Sequence, residues 1–144
     1  MIPDSKRKPL NADQVAWLAA LRSGKYKRGT KCLHYLNPVR HHCCLGVAME
    51  ISGRVTWVSL PNAFSIGIQW RETPQQPIVD GHESSTTYLD SMTSHQLDLS
   101  IEEQIKISQA NDSRIKLDSY DDVIFFIEKL WFNKGYDVLG FDGN

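Results

Sequence analysis

Apolar residues recur at helical spacing in four stretches of the chain and alternate at strand spacing in shorter runs between them. Asn11 with Gln14 makes a capping pair, and Val15, Leu18 and Leu21, with Trp17 beside them, predict a first short helix that Gly24 ends. Lys31 to Leu36 alternates and puts Cys32, His34 and Leu36 on one face; Asn37-Pro38 is a turn signal, and Val39 to His42 returns as a second short strand. From Cys43 to Ile51 the spacing of Leu45, Ala48 and Met49 predicts a buried helix closed by Ser52-Gly53. Val55 to Leu60 reads as a strand, and Phe64 to Trp70 as another.

The pattern breaks between Arg71 and His95, where Pro74, Pro77, Gly81 and a Ser/Thr-rich patch predict a long surface loop. Ser100-Ile101-Glu102-Glu103 is a capping box that opens a helix through about Ala110, followed by an Asn111-Asp112-Ser113 turn. Ser119 with Asp122 opens a helix from Tyr120 to about Phe132, whose Val123, Ile124, Ile127, Leu130 and Trp131 form an apolar stripe and which Gly135 ends. Val138, Leu139 and Phe141 in the tail are expected to lie on the body. The expected fold is a small single α+β domain over residues 1–144, with short antiparallel strands packed by about four helices and a loop over about 71–95.

Composition agrees, since 144 residues with 41% hydrophobic and 23% charged content suit one globular core. No apolar run approaches the roughly 18 residues that cross a bilayer, and the charged N-terminus has no apolar core behind it, so the expectation is a soluble, cytoplasmic protein. Cys32, Cys43 and Cys44 are an odd set, two of them adjacent, which predicts reduced thiols. Charge is partitioned: Met1 to Arg54 holds ten Lys/Arg against three Asp/Glu, whereas Val55 to Asn144 holds six against fourteen. Such halves either separate, leaving a basic end for an anionic partner, or pair with each other.

Three segments carry a resemblance. Leu21-Arg22-Ser23-Gly24-Lys25-Tyr26-Lys27, then Cys43-Cys44-Leu45-Gly46-Val47, then Ser108-Gln109-Ala110-Asn111-Asp112 ahead of the last helix resemble a family of small uncharacterised bacteriophage and prophage proteins. In that family Leu-Arg-Ser-Gly-x-Tyr, Cys-Cys-Leu-Gly-Val and Leu-Asn-Asp occur in this order; here Ala110 stands in place of the leucine, and Cys32, His34, His41 and His42 are not among its hallmarks. The resemblance implies a phage origin and residence in the host cytoplasm rather than a mechanism.

Three chemistries suit the residues near the cysteine doublet. Arg22, Lys25, Lys27, Arg28 and Lys31 interleaved with Tyr26, with Gly24 and Gly29 opening the backbone, suit capture of an anion such as a nucleotide, an RNA or an acidic protein face, and Asn111 and Asp112 join that binding set. Cys32, His34, His41 and Cys43 offer thiolate and imidazole ligands for a structural zinc, although adjacent strand residues point to opposite faces. Cys43 at a helix start, with His42 beside it and His34, His82 or His95 elsewhere as bases, offers a nucleophile for a hydrolase or transferase; this requires Cys43 exposed and Cys44 buried.

The favoured expectation is a phage accessory protein without cofactor. It binds a bacterial host protein or an anionic small molecule such as a nucleotide messenger, and inhibits or sequesters it in counter-defence, away from membranes and with homo-oligomer formation open. If the acidic end is instead the contact, Asp118, Asp121 and Asp122 carry it.

Overall fold

A computed structural model describes residues 6–29, 33–36, 40–59, 73–112 and 119–138. Among them are eight strands and five helices, in the order β1 (Lys8–Pro9), α1 (Ala12–Arg22), β2 (Lys27–Arg28), β3 (His34–Leu36), β4 (Arg40–His42), α2 (Cys44–Ile51), β5 (Val55–Ser59), β6 (Thr73–Val79), β7 (His82–Glu83), α3 (Ser91–Leu97), α4 (Ile101–Asp112), α5 (Asp121–Asn133) and β8 (Tyr136–Asp137). The fold is α+β. A six-stranded sheet runs β2-β4-β3-β6-β5, with β7 on β6; the β2–β4 pair is parallel and the others antiparallel. β1 and β8 form a separate parallel pair. No helix among the described residues is long and apolar enough to cross a membrane.

Local chemistry sets the helix starts. Asn11 and Gln14 exchange both bonds of a capping box, and Ser100 and Glu103 do the same for α4. The buried face of α1 is Gln14, Trp17, Leu18 and Leu21; Val15, expected inside, is 51% exposed. Gln14 takes the inward position because its amide donates to Leu97 O at 3.3 Å while its oxygen closes the cap. Trp17 and Trp131 meet edge to face at 5.8 Å in the core, and their indole N–H groups donate to Cys44 O and Leu97 O.

Within the stretch expected as a loop over 71–95, the described residues from Thr73 onward hold β6, β7 and the start of α3. Pro77 is tolerated because it falls between the stretches where β6 pairs with β3 and with β7. Asp80 and Gly81, at φ 50° and 86°, form the two-residue turn of the β6–β7 hairpin. α4 extends through Asn111 and Asp112, which were expected as a turn. The expected Ser119 cap is absent: α5 starts at Asp121 with Tyr120 at its N-cap and no side-chain cap bond, and Asp122 is given to Arg28 instead. Phe64 to Trp70, Cys32, Asp118, Leu139 and Phe141 lie outside the described residues.

The charged halves pair rather than separate. Arg22 meets Glu128 at 2.9 Å, Arg28 meets Asp122 at 2.7 Å, and Arg54 meets Asp80 and Asp90 at 3.2 and 3.1 Å.

Cys43 to Val47 is closely packed. Cys43 is the N-cap of α2, its Sγ accepting from Gly46 N at 3.4 Å, and Cys44 to Met49 are all buried. A Cβ on Gly46 would stand 1.8 Å from Leu33 O, a carbonyl that also accepts from Cys43 N. Since backbone cannot retreat from such an overlap, Gly46→Ala is expected to cost about 3 kcal/mol or more. Urea unfolding of the variant measures this, and a loss under 1 kcal/mol, on the order of an ordinary surface change, would show that the Leu33 backbone is not clamped against α2.

Candidate functional site

Where α1 ends, the chain turns at Gly24 (φ 75°) into β2, and β2 pairs in parallel with β4 so that Lys27 lies opposite His41 and Arg28 opposite His42. The start of α5 closes the other side. Between them is a cleft of about 390 Å³. Arg22 and Lys27 are exposed at its rim, Tyr26 and His41 form its half-buried wall, and Ser119, Tyr120 and Asp121 form the far side.

The expected binding residues divide by location. Arg22, Tyr26 and Lys27 line the cleft, and Lys25 stands beside it with Nζ 5.9 Å from the Tyr26 ring. Arg28 reaches the cleft but its side chain is only 1% exposed, held by both Asp122 oxygens, Ser119 O and Asn111 O. Asn111 is fully buried, accepting from Cys44 N and donating to Gly29 O and Asp112. Arg28, Asn111 and Asp112 therefore serve the frame of the cleft rather than its surface. Tyr120 does too, its hydroxyl donating to His42 O and Lys27 O. His41 and Asp121 are the cleft residues that sequence reasoning missed as binding partners of the basic loop; only the β2–β4 pairing and the α5 docking bring them there.

On the opposite face of β4 the alternation of strand side chains turns His42 inward. His34 and His42 are cross-strand partners with ring centroids 4.5 Å apart, His34 stacks on Trp57 at 4.6 Å and 21°, and Tyr26 meets His42 edge-on at 5.4 Å. Glu50 from α2 stands 3.7 Å from His42 Nε2, an ion-pair distance rather than a hydrogen bond, and accepts from Trp57 Nε1 at 3.0 Å. Its pKa falls to about 2, chiefly through the facing His42, against the opposing cost of burial, and then through the Trp57 N–H. Burial first, and the neighbouring His42 second, lower His34 to about 4.

This arrangement bears on the two alternative chemistries, the zinc site and the cysteine nucleophile. Of the zinc set, Cys32 lies outside the described residues and the other three do not converge: His41 faces the cleft, His34 stacks on Trp57, Cys43 is turned into the α2 cap, and among the described residues no three His, Cys, Asp or Glu groups are placed to hold a metal. Nor is Cys43 exposed, since it is 3% accessible, and burial pushes the Cys44 thiol well up. Neither cysteine has the access a nucleophile needs, and His42 is engaged with Glu50 and the surrounding rings.

The protein is thus a small α+β frame that carries a basic cleft with Tyr26 and His41 in its wall. The family model described as a domain of unknown function (DUF8296) matches residues 12–128, and the chain belongs to that family. No curated protein and no solved structure matches the chain.

The buried imidazole gives the protein a titration signature. His34 has a folded pKa of about 4 against 6.5 unfolded, so the unfolded chain gains the proton first and acidification favours it. Stability from neutral His34 is complete above pH 6.5 and about 3 kcal/mol is lost as pH falls towards 4. The depressed Glu50 adds a second loss, between about 4.5 and 2. Urea midpoints should fall in wild type between pH 6.5 and 4.5, above the Glu50 window, and stay nearly level there in His34→Phe; parallel profiles would remove His34 as the cause.

Proposed function

We propose that this protein acts by occupancy: it captures a small anionic molecule of a bacterial host in the cleft between α1, β2 and α5, and by holding it withdraws it from use. The observation that carries this reading is the gathering of Arg22, Tyr26 and Lys27 around one cavity of about 390 Å³, a volume within the range of small-molecule sites. Exposed cations supply attraction, and the ring supplies a flat contact. In the setting suggested by the three-segment resemblance, the protein is a phage accessory factor working in the host cytoplasm, and the captured molecule belongs to a defence response. The burial of Cys43 and Cys44 weighs against the thiol-dependent hydrolase or transferase.

Native mass spectrometry of the protein taken directly from bacterial cells tests the reading. Wild type should carry an extra anionic mass that Lys25→Glu with Lys27→Glu loses, whereas Cys43→Ser should keep it. Both lysines are exposed, so their reversal leaves the frame intact, unlike any change at Arg28. The same retained extra mass on wild type and the charge-reversed variant, or none on either, would contradict capture at this cleft.

A further inference from the structure

We infer that the cleft takes a nucleoside monophosphate, with the phosphate at Lys27 and Arg22, the base against Tyr26, and Asp121 receiving donors from the sugar or base. The inference rests on the cleft being an anion site and adds what that anion is attached to.

The charges of the cavity are polarised. Arg22 and Lys27 come from the α1–β2 side, while Asp121 is a carboxylate on the α5 side. Arg28 beneath adds no net field because Asp122 neutralises it at 2.7 Å, and Arg22 shares Glu128 while its side chain stays 50% exposed. A polyanion or an acidic peptide would meet Asp121 with like charge. A molecule anionic at one end and rich in N–H and O–H donors at the other meets both ends with opposite polarity, and a mononucleotide is of that kind.

Tyr26 decides between a nucleotide and a simple sugar phosphate. It lines the cavity, and its ring is steadied by the edge-on contact with buried His42 at 5.4 Å. His42 is itself fixed by Glu50 at 3.7 Å and by the His34 ring. A ring already ordered loses little freedom when a base stacks on it, which favours planar ligands. The buried ring cluster thereby has a role beyond filling space, as the backing of the wall of the cleft.

Isothermal titration calorimetry of the full chain with AMP, GMP, CMP and UMP, and with ribose 5-phosphate and inorganic pyrophosphate as the ring-free probes, tests this. At least one monophosphate should bind about tenfold or more tighter than ribose 5-phosphate. Tyr26→Leu should erase that gap while ribose 5-phosphate binding persists, and Tyr26→Phe should restore it. Equal binding of the nucleotides and ribose 5-phosphate to wild type would overturn the nucleotide assignment and leave the anion site standing. Absence of binding by every probe, pyrophosphate included, would overturn both.

Discussion

One buried guanidinium holds the parts of this molecule together. Arg28 leaves the short edge strand β2 and enters the seam between α4 and α5, where Nη1 donates to Asp122 Oδ1 at 2.7 Å and Ser119 O at 2.8 Å, and Nη2 donates to Asn111 O at 2.6 Å. Moving such a charge out of water is unfavourable unless its donors are met, and a paired carboxylate with two carbonyls meets most of them. Asn111 then ties Gly29 and Cys44 to the same point, and Tyr120 ties Lys27 and His42. The floor of the cleft, the start of α2 and the β2–β4 pair are therefore one polar interlock, and the cleft keeps its shape only while it holds.

The same logic explains a run as unusual as Cys43-Cys44-Leu45-Gly46-Val47. Each residue answers to a different neighbour. Cys43 caps α2, the Cys44 N–H and C=O are taken by Asn111 and Trp17, Gly46 lets the Leu33 backbone approach, and Leu45 and Val47 fill the core. Reactivity would require at least one thiol to be open to solvent, and the packing denies that to both. Beside this run, the His34, His42, Glu50 and Trp57 group places ionisable atoms where apolar side chains of similar volume would often be as stable; its contact with Tyr26 connects that arrangement to the cleft.

Much of this was legible locally. The Asn11–Gln14 and Ser100–Glu103 boxes and the apolar stripe of α5 need only neighbours within a turn, and each formed as its spacing predicts. Features that depend on distant partners were not legible. Arg28 reads as one more surface cation because Asp122 lies 94 residues away, and His41 enters the cleft only through a strand pair that no local pattern announces. Prolines hid β6, since whether a missing N–H matters depends on which side of the strand is paired. The Asp80-Gly81 turn, by contrast, was a readable hairpin signal masked by the loop-like composition around it.

Native-state hydrogen exchange tests most directly whether the Arg28–Asn111–Tyr120 interlock holds until the whole protein unfolds. The Cys44 amide, bonded to Asn111 Oδ1, and the Gly29 amide, bonded to His42 O, lie inside it. Both should exchange only through global unfolding, with an opening free energy equal to that from urea denaturation. Exchange of these two amides through a much smaller local opening, while α5 stays protected, would contradict the account.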